Sequence, residues 1–152
     1  MKMTTLTIIL TLSLFACKKE NVVEQPSPKF ETKTIAQSEL YGNGNEGIVK
    51  QNLVISNDED WANIMAQMDS VNDVSSSFSE TDVDFTKYQI VASFDEVKSS
   101  GGHSLVLDIE EKTSTIEITV THVMGDGITT SVMNQPFNLI KVSKDSREVV
   151  FK

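Results

Sequence analysis

The chain carries two histidines, His103 and His122, and one cysteine, Cys17. His103 stands beside Ser104, and a serine next to a histidine raises the prospect of a nucleophile and its base. Adjacent residues on a strand point to opposite faces, so this pair does not readily make the hydrogen bond that such chemistry needs. His103 is therefore expected to be a turn residue that contacts a partner, with no catalytic role. His122 shares a period-two face with Ile118, Val120 and Met124, which makes it the polar end of a core face. A metal held by His103, His122 and Asp126 would need those side chains to converge, and no helix or strand spacing enforces that. Asp82 and Asp84, with Glu80 nearby, lack the Gly and terminal Glu of a calcium loop. Gly125-Asp126-Gly127 is followed by no Lys-Ser/Thr pair, so it is not a phosphate loop. Carboxylates are plentiful, but no pair stands out for sugar hydrolysis. The expectation is a protein that is not an enzyme, with no metal and no cofactor.

Cys17 has a clearer chemistry. Lys2 and the apolar run Leu6–Phe15 precede Ala16 and Cys17, the order of a secretory signal peptide. The run is about half the ~20 apolar residues that a membrane span takes. Leu14-Phe15-Ala16-Cys17 resembles a bacterial lipobox, in which the chain is cut before the cysteine and the cysteine is lipidated. Each buried methylene contributes roughly 0.8 kcal/mol, so several acyl chains (palmitate or its like) anchor stably. Residues 1–16 are expected to be a lipoprotein signal peptide. Residues 17–28 would be the lipidated Cys17 and a polar tether containing Pro26 and Pro28. Lys18 follows Cys17 where an Asp would signal inner-membrane retention. The expected location is therefore the cell envelope, at the outer membrane.

Lys and Arg number 13 against 22 Asp and Glu, for a formal charge of −9. Removing Lys2 with the signal peptide takes this to −10. Such a balance opposes nucleic acid binding, which needs a basic patch to displace counterions. A lone cysteine also excludes an internal disulfide framework.

The elements that must position the histidines read as strands. All seven glycines cluster as Gly42, Gly44 and Gly47, then Gly101 and Gly102, then Gly125 and Gly127, and these mark turns. Residues 30–40 and 47–56 are expected to form a hairpin around Gly42-Asn43-Gly44-Asn45. Trp61, Ile64, Met65 and Met68 sit at helical spacing. Ser56 and Glu59 are placed as a capping box at the start of that helix, which should end near Ser70. A loop follows from Val71 to Asp84. Tyr88, Ile90, Ala92 and Phe94 alternate with polar residues, with Val91 as the exception. Leu105, Leu107 and Ile109 alternate likewise, as do Ile116, Ile118 and Val120. Residues 137–142 and 148–151 would close the sheet, with Pro136 marking a strand start or an edge. Residues 29–152 are expected to form one α+β domain, a mainly antiparallel β-sheet of about six to eight strands with one short amphipathic helix.

The order of Asp60-Trp61, Tyr88-Gln89-Ile90-Val91-Ala92-Ser93-Phe94, Ser100-Gly101-Gly102-His103-Ser104-Leu105 and Gln135-Pro136-Phe137-Asn138-Leu139-Ile140-Lys141-Val142 resembles the C-terminal domain of the protease complex subunit PrcB family. The likeness covers residues 58–145, and His103 stands where an aromatic is common. The resemblance implies a membrane-anchored lipoprotein that binds and supports a secreted or surface protease without being the peptidase. Gly101, Gly102, His103, Pro136 and Phe137 are then the expected partner-binding residues, gripping through exposed main chain and an aromatic ring; the simpler alternative is that Gly101-Gly102 makes the hairpin, Pro136 sets an edge and Phe137 fills the core. Alternative readings are a protease inhibitor presenting the 71–84 loop, a module that binds envelope glycans, and a hydrolase acting on them.

Overall fold

The computed structural model describes residues 30–126 and 131–152. The signal peptide, Cys17, the tether and part of the Gly125–Gly127 turn lie outside these residues. Among the described residues seven strands form in the order β1 (Thr32–Leu40), β2 (Gln51–Ile55), β3 (Tyr88–Phe94), β4 (His103–Glu111), β5 (Thr115–Met124), β6 (Gln135–Ser143) and β7 (Glu148–Phe151). The helix α1 (Asp58–Met68) lies between β2 and β3, and a 3-10 turn at Ser75–Ser77 follows it. The fold is α+β and mainly β.

The strands make two sheets. The first has the order β1-β6-β3-β2 and is antiparallel throughout. The second has the order β4-β5-β7, with β4–β5 antiparallel and β5–β7 parallel. On one face of the first sheet, Ile90, Ala92, Phe94, Phe137 and Leu139 pack with Trp61, Ile64 and Met68 of the helix. On the other face, Val91, Ile140 and Val142 pack with Leu107, Ile116 and Ile118 of the second sheet. The helix and the second sheet thus cover the two sides of one central sheet, so β3 and β6 are buried on both faces. That explains Val91, which breaks the alternation of β3 because it faces a second apolar layer.

The helix begins one residue later than the capping-box reading places it. Asn57 is the N-cap, and its Oδ1 accepts from the Asp60 backbone N–H at 2.9 Å. Asp58, Glu59 and Asp60 fill the first turn, where the helix dipole favours anions.

The expected hairpin of residues 30–40 and 47–56 is not formed. β1 pairs with β6, and β2 pairs with β3, so the two segments occupy opposite edges of the first sheet. The connection between them turns twice, through Asn45 N–H to Gly42 O and Gly47 N–H to Gly44 O, both 3.0 Å. Gly44 and Gly47 adopt positive φ there, at 82° and 69°. The connection then passes across the end of the sheet, where Gln135 Nε2 donates to Ile48 O at 2.9 Å and to Asp95 O at 2.8 Å.

Phe137 is fully buried, with its ring stacked on Phe94 at 6.1 Å and tilted against Phe78 at 6.3 Å. Pro136 is buried as the second residue of β6, a central strand. Both were expected to grip a partner. The structure corrects this, because neither side chain reaches the surface. Replacing Phe137 by Ala is expected to cost about 3–5 kcal/mol, read from urea unfolding. A loss below about 1 kcal/mol would contradict a core role.

Candidate functional site

The residues that meet at one end of the domain come from three connections. Asp95 follows directly on β3, and its N–H donates to Pro136 O at 2.9 Å. Lys98 and Asn134 then pair as an isolated bridge, with bonds of 2.7 and 3.1 Å. This holds the segment from Asp95 to Ser100 beside the start of β6. Gly102 has φ of +85°, a left-handed turn that suits glycine and carries the chain from the first sheet to the second. Its carbonyl accepts from Gly125 N–H at 2.7 Å, extending the β4–β5 ladder.

His103 begins β4 and His122 lies near the end of β5, opposite Leu105. Residues directly opposite share a face, so both histidines continue the inner face that holds Leu105 and Leu107 deeper in. At this end that face opens to solvent: Leu105 is buried, His103 half-buried and His122 exposed.

The side chains form one hydrogen-bonded series. His122 Nδ1 is 2.6 Å from Asp95 Oδ2. His122 Nε2 is 2.9 Å from His103 Nδ1. His103 Nε2 is 3.1 Å from Ser100 Oγ. The protons follow from the carboxylate, which can only accept. With neutral rings, His122 donates from Nδ1 and accepts at Nε2. His103 then donates from Nδ1, and its Nε2 accepts the Ser100 hydroxyl.

Asp95 anchors the series. Its side chain is only 2% exposed. Oδ1 meets Lys50 Nζ at 2.9 Å and accepts from the Glu96 N–H at 2.9 Å, while Oδ2 also meets Lys98 Nζ at 3.1 Å. Burial pushes its pKa up, but the bonds from Lys50, the Glu96 amide, Lys98 and His122 outweigh burial and hold the carboxyl well below the usual range. A groove of about 340 Å³ opens beside it, lined by Lys50, Asn52, Asp95, Leu105 and His122.

The other expected residues fall as follows. Gly101 is buried and Gly102 exposed beside His103, so the Gly101–His103 turn does belong to this site. Ser104 lies on the opposite face of β4 from His103, opposite Val123. Ser100, three residues earlier, is the serine that reaches the ring. Asp95, on the loop after β3, supplies the carboxylate that Asp126 was considered for. Glu80 pairs instead with Lys33 and Lys141, and Asp84 with Lys87 and Thr86. The 71–84 loop is tied down, with Trp61 Nε1 donating to Thr81 O at 2.8 Å and Val83 in the core. Among the described residues no three His, Cys, Asp or Glu side chains gather as a metal-holding group. The series ends in a serine hydroxyl, but the groove is lined on the His122 side, not around Ser100.

Asp95→Asn is expected to destabilise the domain by about 2–3 kcal/mol at neutral pH. Because the folded-state pKa is depressed, this contribution is complete above about pH 4, the ordinary Asp value. It is lost as pH falls from there through the depressed value. Urea unfolding of both proteins at neutral pH and near pH ~2.5 checks this: the gap narrows in acid, whereas an equal gap at both would assign the loss to shape alone.

A scan against protein-family models finds no match, and searches of curated proteins and of solved structures find no significant one.

Proposed function

We propose that this chain is a lipid-anchored envelope protein that binds and supports a secreted or surface protease, docking an extended segment of that partner along β2. The role needs anchoring and recognition, and no bond-making chemistry of its own. Cys17 and the tether would supply the anchor, and the two-sheet domain the recognition.

The observation that carries this reading is the state of the sheet edges. β1, at one edge of the first sheet, is interrupted by a register shift between Thr34 and Ala36. It is also covered by Ser79, whose N–H donates to Ile35 O at 3.0 Å and whose hydroxyl donates to Thr34 O at 3.1 Å. Bulges and covering loops are how proteins protect an edge. Among the described residues β2, at the other edge, has neither. Its five residues, Gln51-Asn52-Leu53-Val54-Ile55, contain no charge and no proline. Among the described residues no strand or loop backbone pairs with its outer side. Val54 is 39% exposed on it and Val49, just before it, 69% exposed. An added strand gains main-chain hydrogen bonds at such an edge, and pockets for alternate side chains give selectivity.

The test is recovery of the full-length lipoprotein from detergent-solubilised membranes of its source, with mass spectrometry of what accompanies it. A protease recovered in comparable amount is expected from the unaltered chain. Val54→Lys, which places a charge on the edge, is expected to reduce that recovery about tenfold or more. Recovery of the chain alone after crosslinking sinks the proposal. Assaying the recovered protease with and without the chain separates support from inhibition, since an inhibitor lowers the rate.

A further inference from the structure

We infer that His103 Nδ1 and His122 Nε2 are a binding site for a divalent transition-metal ion, with Cu²⁺ the tightest. The inference is independent of what docks on β2.

The geometry of the pair carries it. The two ring nitrogens face one another at 2.9 Å, with the rings inclined at 70°. Bonds from imidazole nitrogen to such ions are ~2.0–2.1 Å long. Two of them at a right angle span ~2.9 Å between the nitrogens, and two at the tetrahedral angle ~3.3 Å. The separation already present is that of neighbouring positions in a square-planar or tetragonal shell, and each ring tilts its lone pair off the hydrogen-bond line to meet a shared ion. Nitrogen ligands in that arrangement select Cu²⁺ or Ni²⁺, and Cu²⁺ binds more strongly of the two.

The outer nitrogens support the same reading. A metal-binding histidine usually donates its other N–H to an oxygen that fixes the ring. Here both rings have such an oxygen, Asp95 Oδ2 at 2.6 Å for His122 and Ser100 Oγ at 3.1 Å for His103. In the neutral ring Asp95 holds the His122 proton on Nδ1, which turns the Nε2 lone pair inward. His103 needs only to move its proton from Nδ1 to Nε2. Ser100 tolerates this, because a hydroxyl that donated to the ring can turn and accept from it. Neutral rings thus bind the ion without net proton release, and two inward lone pairs replace one hydrogen bond.

Charge and access permit an ion. The ammonium groups of Lys50 and Lys98 are matched by the carboxylates of Asp95 and Glu96. The His122 side chain is 36% exposed, so an ion and its waters reach the pair from solvent. Asp95 has both oxygens engaged and stays an orienting group. The protein supplies two ligands, and water completes the shell.

The test uses the full chain, untagged and washed with chelator, titrated with Cu²⁺ and read by electron paramagnetic resonance and calorimetry. The expected spectrum is tetragonal, with hyperfine structure from two imidazole nitrogens at one equivalent of metal. Losing even an outer partner of a ligand costs roughly tenfold in affinity or more. His103→Ala and His122→Gln are each expected to weaken binding by at least that and to remove one nitrogen from the spectrum. Among the described residues the His103 side chain bonds only to Ser100 and His122, so its variant keeps Asp95 and its lysines in place should the His122 variant unfold. Absence of stoichiometric binding, or an unchanged affinity and nitrogen count in His103→Ala, overturns the inference.

Discussion

Covering the first sheet on both sides is the constraint on which the rest of this structure depends. β3 and β6 lie between the helix and the second sheet, so several polar side chains on and beside them bond to protein groups in place of water. Asn138, facing the second sheet, donates from Nδ2 to Leu105 O at 2.9 Å, and Gln37 Nε2 donates to the same carbonyl at 2.7 Å. Ser93 Oγ donates to Asn52 Oδ1 at 2.7 Å. The two bonds to Leu105 O fix how β4 lies over the first sheet, which apolar packing alone leaves free to slide. They therefore also fix where β4 begins, and with it the position of His103.

The elements were legible in the sequence because each depends on a period. The Trp61, Ile64, Met68 stripe lies against the first sheet, and the alternation of Leu105, Leu107, Ile116 and Ile118 marks the inner face of the second. The pairing was not legible. Alternation tells which way a side chain points, but not which strand lies beside it. Two strands joined by a Gly-rich connection read as a hairpin, yet β1 and β2 are separated by β6 and β3. The signal against a hairpin was the run of apolar residues in Ile90-Val91-Ala92 and Leu139-Ile140. A strand apolar on both faces needs cover on both, and so belongs in the middle of a sheet and not at its edge.

The candidate site divides in the same way. His122 was legible as the polar end of a core face, because Ile118 and Val120 precede it at period two. Its neighbours were not. Asp95 and Ser100 lie on a connection without a period, and the Lys98–Asn134 bridge with the Asp95 N–H to Pro136 O bond holds that connection beside the start of β6, where its side chains reach the histidines. Phe137 could be read two ways, as a partner contact or as core, for a related reason. An aromatic after a proline looks like an exposed turn, but Pro136 enters a central strand at its first turn of register, where its carbonyl serves Asp95 and its missing N–H costs little.

Asp95 explains how the elements at this end of the domain are held together although they lie at the surface. A carboxylate that is nearly fully buried has lost its water and is tolerated only where charged or polar hydrogens replace it. Here four groups do so: His122 on β5, the backbone N–H of Glu96 next in the chain, Lys98, and Lys50 in the connection before β2. The same carboxylate thus ties together the two sheets and the edge strand's approach. It also leaves Asp95 no oxygen lone pair turned toward solvent. Whatever chemistry the site performs passes to the inner histidine nitrogens, which the carboxylate orients and does not join. The acidic residue holds the geometry, and the two rings, half in water, present it.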